Sequence, residues 1–144
     1  MQRAISPSYI DSLFRERDYS GLVWLSSLIS GSEAAKLHEP DYGLPQQLFM
    51  FIESLSWFAQ AIRSGVWTYY ESTPVSRQEL LLIAYEADGP EDFAQRYAQG
   101  MSGWKNPTEM AGLDAWIEKT DSENNNWLWE LASKHRPLID ALTS

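Results

Sequence analysis

The sequence contains no cysteine, only two histidines, and fewer basic than acidic side chains. The absence of cysteine excludes a disulfide, a thiolate zinc site and a cysteine nucleophile. No stretch approaches the roughly 20 apolar residues that a membrane-spanning helix needs, and residues 1–7 lack the apolar run of a secretory signal. We therefore expect a cytoplasmic protein that has no contact with a membrane.

Aromatic side chains, in contrast, are abundant: 7 Trp, 7 Tyr and 5 Phe make up 13% of the 144 residues. A chain of this composition can bury a hydrophobic core, which argues against intrinsic disorder. Its length is close to the commonest domain size. The sequence therefore predicts a single folded domain over residues 1–144.

The formal net charge is −9, and it is unevenly distributed along the chain. Residues 79–130 hold eleven acidic and three basic side chains, whereas the first 78 residues hold eight acidic and six basic ones. An acidic surface repels phosphate, so we expect no direct binding of nucleic acid. The charge favours a basic protein as the partner; the alternative is that the acidic surface only maintains solubility.

Apolar periodicity predicts an all-α bundle of about seven or eight short to medium helices. The strongest covers residues 45–64, where Phe49, Met50 and Trp57 lie off the main apolar stripe. A helix that is apolar around most of its circumference is usually central in a fold. The main stripe comprises Leu48, Phe51, Ile52, Leu55, Phe58, Ala59 and Ile62.

Helix start signals divide the rest of the chain. Residues 1–43 are predicted to form N-terminal helices followed by a loop, residues 100–105 form a second loop, and Pro137 begins a final turn. The start signals are Ser6-Pro7, the capping box at Ser76, Asn106-Pro107 and Asp121.

Two groups of residues could in principle carry catalysis. His38 is flanked by Glu39 and Asp41, which could form part of a metal or acid–base site, although a solvated surface histidine has the same surroundings. Catalytic motifs such as His-Glu-x-x-His, Gly-x-Ser-x-Gly and the P-loop are absent from the sequence. The acidic cluster at residues 86–92 could hold a divalent cation through its oxygens. It could equally place negative charge at a helix start, so we expect no metal and no cofactor.

Carboxylates on adjoining helices can imitate the spacing of phosphates along a DNA duplex. A DNA-binding protein could then bind these carboxylates as it binds the phosphates of DNA, without nucleic acid being present. Trp104, between glycine and lysine in a predicted loop, could anchor an interface or fold back onto the core. The predicted partner-binding residues are Glu86, Asp88, Glu91, Asp92, Trp104, Glu109, Asp114, Glu118, Asp121 and Glu123.

Residues 63–72 follow the long apolar helix and have the sequence Arg-Ser-Gly-Val-Trp-Thr-Tyr-Tyr-Glu-Ser. Over residues 49–138 the chain resembles the bacterial DNA-mimic protein family, a helical family of largely unknown function. The family pattern has an apolar helix, then Asn-Gly-Gly-Phe, then a stretch similar to Gln-Tyr-Phe-x-Asn. Here Gly65 and the pair Tyr69-Tyr70 match, and Arg-Ser replaces Asn-Gly.

A capped helix from Ser76 and the segment Leu113-Asp114 then follow in the family's order. The resemblance implies an all-α fold and the binding of a transcription regulator through an acidic, DNA-like surface. Relatives of this kind also look like neighbours of toxin genes, where a small acidic protein serves as an immunity partner.

Three hypotheses follow. The first is a non-enzymatic inhibitor or modulator of a basic protein, either a DNA-binding regulator or a nuclease-like toxin. The second is a small metal-dependent or hydrolytic enzyme that uses His38 or the acidic cluster at residues 86–92. The third is a scaffold or homodimer subunit that uses an exposed Trp104.

Overall fold

The computed structural model describes residues 7–143, and within them the prediction of an all-α fold is confirmed. The predicted count of seven or eight helices is wrong, because the described residues form nine and the expected final turn is an eight-residue helix. No helix in this part of the chain has the length and apolar character needed to cross a bilayer. The helices are α1 (Pro7–Glu16), α2 (Tyr19–Ser30), α3 (Gln46–Arg63), α4 (Val66–Ser72), α5 (Val75–Asp88), α6 (Glu91–Gly103), α7 (Pro107–Lys119), α8 (Asp121–Lys134) and α9 (Arg136–Thr143).

Side-chain caps fix the starts of two helices. Asn106 caps α7 as predicted, because its side-chain oxygen accepts from the backbone N–H groups of Thr108 at 3.0 Å and Glu109 at 3.2 Å. Asp18 does the same for α2 by accepting from Gly21 N at 2.8 Å. These short polar side chains satisfy N–H groups that have no partner inside their own helix.

Three predicted boundaries are wrong. The capping box at Ser76 does not form, since α5 already begins at Val75, directly after Pro74. The predicted loop at residues 100–105 is helical up to Gly103, because α6 continues until its glycine-rich end. Asp121 is the first residue of α8 rather than its cap. The predicted cap at Ser6 lies outside the described residues.

Burial along α3 differs from the predicted stripe at one end. Phe49, Met50 and Trp57, which lie off the stripe, are all buried, as expected for a helix that is covered on several sides. Ile62, which was predicted to belong to the stripe, is 61% exposed. Ile62 is the last residue but one of α3, where the helix leaves the apolar core. The central position of α3 stays a prediction.

Residue contacts divide the chain into two compact units. Unit 1 consists of the described parts of Met1–Ile52 and Glu123–Ser144. Its core includes Trp129, whose indole N–H donates to the carbonyl of Asp18 at 3.2 Å and whose ring meets Phe14 edge-on at 5.4 Å. Three ion pairs lie on the described surface of this unit, Arg17 with Glu130 and Arg136 with both Asp11 and Asp140.

Unit 2 consists of Glu53–Ser122 and is organised around Trp57. The indole is fully buried, and five other aromatic rings have their centroids within 6.2 Å of it. All five contacts are tilted or edge-to-face, and edge-to-face is one of the arrangements that aromatic pairs prefer. The surrounding rings are those of Phe58, Tyr85, Phe93, Tyr97 and Trp116.

Buried hydroxyl and carboxyl groups form a hydrogen-bonded network inside unit 2. The hydroxyl of Tyr69 donates to Oε2 of Glu53 at 2.5 Å and lies 2.7 Å from the hydroxyl of Tyr97. The hydroxyl of Tyr85 pairs with Ser54 Oγ at 2.6 Å. Because all these side chains are buried, the network satisfies polar groups that would otherwise be costly to remove from water.

We expect the substitution Tyr69→Phe to lower the free energy of unfolding by about 2 kcal/mol, because a buried carboxyl group loses a hydrogen-bond donor. The matched variant Tyr85→Phe removes a hydroxyl that pairs with another hydroxyl, so its expected loss is about 1 kcal/mol. Urea denaturation of both variants measures the difference. Equal losses would show that the two hydrogen bonds of Tyr69, to Glu53 and to Tyr97, contribute no more than the single pair of Tyr85 with Ser54.

Candidate functional site

Four of the predicted partner-binding carboxylates lie where α5 passes into α6. Glu86 and Asp88 belong to the end of α5, and Glu91 and Asp92 form the first turn of α6. All four are exposed. The short link between the two helices holds them close along the chain, and negative charge suits the start of α6 because of the helix dipole.

The packing of α6 against α7 places further carboxylates at the same end of unit 2. Near the start of α6, the ring of Phe93 lies 5.8 Å from that of Trp116, close to the end of α7. At the other end, a β-carbon placed on Gly103 would lie 1.8 Å from Oε2 of Glu109. The two helices are therefore antiparallel, and the end of α7 lies beside the start of α6.

Glu118 in the last turn of α7 and Asp121, the first residue of α8, thus lie at the same end of unit 2 as the α5–α6 carboxylates. We call this group the acidic end. It consists of Glu86, Asp88, Glu91, Asp92, Glu118 and Asp121.

Few cations accompany the acidic end. Arg96 and Lys119 are the basic side chains on the adjoining stretches of α6 and α7, and the guanidinium of Arg96 lies over the ring of Trp116 at 5.3 Å. Among residues 7–143, no salt bridge joins any of the six carboxylates to a basic side chain. With Arg63, which follows Ile62 at the end of α3, the six acids and three bases leave a net charge of about −3 in this region, which can act on molecules in solution.

Asp114 has a structural role that the sequence analysis missed. Its Oδ1 accepts from the backbone N–H of Val66, the first residue of α4, at 2.8 Å. The residue before α4 is Gly65, which has a φ of 95° and no side chain that could cap the helix. Asp114 therefore caps α4 from α7. Burial raises the pKa of its carboxyl above the usual value, and the hydrogen bond from Val66 opposes this shift.

Asp114 also lies between two surface cavities. The first has a volume of about 450 Å³, and we call it the tryptophan cavity. The second, of about 370 Å³, is lined by Ala61, Ile62, Asp114, Glu118 and Asp121. The tryptophan cavity is lined by Trp67, Trp104, Lys105, Pro107, Met110, Ala111 and Asp114.

The remaining predicted site residues lie in different places. Trp104 is half-buried in the tryptophan cavity, immediately after α6, rather than in an extended loop. Glu109 is exposed at the start of α7, at the end of that helix opposite the acidic end. Glu123 is exposed and belongs to unit 1.

Trp67 lines the tryptophan cavity although it is not among the predicted site residues. The side chain is 42% exposed, whereas Tyr69 and Tyr70 on the same short helix are buried. Residues two apart on a helix cannot face the same way. The burial of Tyr69 therefore turns Trp67 outward, and this spacing is the signal that could have identified it.

The residues of the alternative, enzymatic hypothesis are solvent-accessible. His38 is exposed in the turn region between α2 and α3. Within the described part of the chain, no three His, Asp or Glu side chains are grouped so that they could hold a metal ion.

Comparison of the chain with models of protein families, with curated proteins and with solved structures gives no match. The resemblance to the DNA-mimic family therefore stays a prediction. The residues that carry it have evident structural roles: Gly65 adopts a positive φ, and Tyr69 and Tyr70 are buried and hydrogen-bonded. Leu113 is fully buried and Asp114 caps α4.

Proposed function

We propose that the protein is a non-enzymatic binding protein that inhibits or modulates a basic protein through its acidic end. The partner is a DNA-binding regulator, which binds the carboxylates in place of DNA phosphates, or a nuclease-like toxin, whose activity is neutralised by the binding. The observation that carries the proposal is the accumulation of six carboxylates at one end of unit 2, none of them salt-bridged within the described residues.

Electrostatics favours a protein cation as the ligand of such a surface. Opposite charges accelerate encounter and fix the orientation of two proteins, and the effect is screened over about 8 Å at physiological ionic strength. Nucleic acid would be repelled by the same carboxylates. Unit 2 as a whole supports the direction of this preference, because it holds eleven acidic side chains against five basic ones.

The proposal is tested by a four-amide variant that carries Glu86→Gln, Asp88→Asn, Glu91→Gln and Asp92→Asn. These substitutions keep the shape of each side chain and remove its charge. The immobilised wild-type protein first captures basic proteins at low salt, and the affinity of each captured protein is then measured. An exposed ion pair contributes about 0.2–1 kcal/mol, so we expect the loss of four charges to weaken binding roughly tenfold.

A matched control removes four charges elsewhere, by Glu16→Gln, Glu33→Gln, Glu71→Gln and Glu79→Gln. All four residues are exposed, and the change in net charge is the same. We expect this variant to bind within about twofold of wild type, because none of the four charges belongs to the acidic end. Equal weakening of both variants would show that net charge alone, and not the acidic end, attracts the partner.

Competition with duplex DNA separates the two kinds of partner. A regulator that binds the protein in place of DNA should be displaced by its own duplex. A toxin that is held through a surface other than its DNA-binding site should stay bound. If no basic protein is captured even at low salt, the proposed function is wrong.

A further inference from the structure

The tryptophan cavity has the chemistry of a site for a cationic side chain. Its volume of about 450 Å³ lies within the range of roughly 300–1,000 Å³ that is typical of small-ligand sites. Its walls are mainly apolar, with the indoles of Trp67 and Trp104 and the buried side chain of Met110. A single carboxylate, that of Asp114, faces this apolar lining.

The indole rings provide the first element of recognition. The face of an indole carries negative charge density and attracts cations within about 6 Å of its centroid. Lys105 already makes such a contact, because its Nζ lies 5.3 Å from the ring centroid of Trp104. Trp67 is 42% exposed, so part of its ring remains accessible to a ligand.

The carboxylate of Asp114 provides the second element. Its Oδ1 is occupied by the N–H of Val66 at 2.8 Å. Its Oδ2 has no hydrogen-bond donor among the described residues and can accept from a ligand. The hydrogen bond to Val66 fixes the orientation of the group, so a ligand would meet a preorganised acceptor.

The charge around the cavity adds a third element. The neighbouring cavity, which shares Asp114, is also lined by Glu118 and Asp121. The tryptophan cavity itself holds one carboxylate, that of Asp114, and one ammonium group, that of Lys105, whereas the neighbouring cavity adds two carboxylates. The excess of negative charge across the two cavities favours a cationic ligand and opposes a phosphate group.

We infer that the tryptophan cavity binds an arginine side chain of the basic partner, and this inference rests on the proposed function. The planar guanidinium can stack on an indole and at the same time donate to a carboxylate, whereas the compact ammonium of lysine stacks less well and is more strongly hydrated. The arginine would be the anchor that gives specificity to an interaction steered by the acidic end. Tryptophan and arginine are the residues most enriched among such anchors.

The inference is tested with a small probe and does not require the partner. N-acetyl-arginine amide is titrated into the protein, and the indole N–H resonances are followed by NMR after assignment with Trp67→Phe and Trp104→Phe. We expect shifts at Trp67 and Trp104 with a dissociation constant on the order of 1 mM, as for a fragment that fills one pocket. N-acetyl-citrulline amide, which has nearly the same shape and no charge, should bind at least tenfold more weakly.

Asp114→Asn is the diagnostic variant, because the amide oxygen can still accept from Val66 N and preserve the cap of α4. We expect it to weaken arginine binding about tenfold, while the matched variant Glu79→Gln, an exposed carboxylate on α5, leaves binding unchanged. An unchanged resonance of the Val66 amide would verify that the cap is intact. If that resonance is lost, Trp104→Leu replaces Asp114→Asn and should also weaken binding at least tenfold.

The inference is overturned if citrulline binds as well as arginine, if Asp114→Asn has no effect with its cap intact, or if tetramethylammonium or AMP is preferred. Its failure is distinguishable from that of the proposed function. The four-amide variant leaves the cavity intact, so it should bind the arginine probe within about twofold of wild type. If a basic protein is captured and Asp114→Asn does not weaken its binding, the acidic end stays the proposed interface and the inferred arginine site is wrong.

Discussion

Above about pH 10, the free energy of unfolding is expected to fall by about 5 kcal/mol for each pH unit, owing to four buried tyrosines. Burial raises the pKa of each of these hydroxyls well above the ordinary value of tyrosine. In the unfolded chain they ionise near a pKa of about 10. The unfolded state then binds fewer protons than the folded state, so stability is fully present below that pH and is lost as the pH rises. The four are Tyr69, Tyr70, Tyr85 and Tyr97.

The slope follows from the number of protons, since each tyrosine contributes about 1.4 kcal/mol per pH unit. Urea denaturation at a series of pH values between about 9 and 11.5 gives the slope directly. The absorbance of tyrosinate should rise together with the loss of helical circular dichroism, because these hydroxyls become accessible only when unit 2 opens. The variant Tyr85→Phe should reduce the slope by about one quarter. A slope below about 1.4 kcal/mol per pH unit, the value for one proton, would contradict the burial of the four tyrosines.

The substitution Gly100→Ala is expected to lower the free energy of unfolding by about 3 kcal/mol. A β-carbon on Gly100 would lie 2.1 Å from Cζ of Tyr70, far inside van der Waals contact. The ring cannot easily move away, because it is 2% exposed and its hydroxyl donates to the carbonyl of Tyr97 at 3.0 Å. Overpacking of a buried site typically costs about 1–3 kcal/mol, occasionally more. Thermal or urea denaturation measures the loss.

Gly112→Ala is the matched control for this substitution. Gly112 also lies within a helix, but a β-carbon there would meet nothing within 4 Å. Alanine should therefore stabilise α7 by up to about 1 kcal/mol. A double variant, Gly100→Ala with Tyr70→Leu, should lose less stability than the sum of its two single changes. Destabilisation by Gly112→Ala, or additive effects in the double variant, would contradict the close contact between α4 and α6.

Local signals predicted the start of one helix correctly and the starts of two others wrongly. The cap at Asn106 is formed as predicted because it depends only on the three residues that follow it. The capping box at Ser76 does not form because α5 already begins at Val75, with Pro74 at the N-cap position. The predicted loop at residues 100–105 is wrong at its start, because α6 continues to Gly103, and Gly100 is glycine because Tyr70 packs against the backbone there. That requirement comes from another helix and is invisible in a local window.

The candidate site was predictable in its charge but not in its geometry. The acids around residues 86–92 are close in sequence, so their proximity follows from one short link between two helices. The addition of Glu118 and Asp121 depends on the antiparallel packing of α6 and α7, which only tertiary contacts such as that between Phe93 and Trp116 reveal. The tryptophan cavity escaped prediction for the same reason, because it joins α4 to the start of α7.

Asp114 both caps α4 and lines the tryptophan cavity, and this combination has an evolutionary consequence. Since a side-chain oxygen is needed at this position to hold the first turn of α4, selection for folding would retain aspartate or asparagine in descendants that no longer bind any partner. The presence of a capping oxygen in a related sequence would therefore be uninformative about ligand recognition. The two tryptophans that line the cavity have no comparable hold on the backbone. Whether homologues retain these two tryptophans would therefore indicate whether the tryptophan cavity binds a ligand.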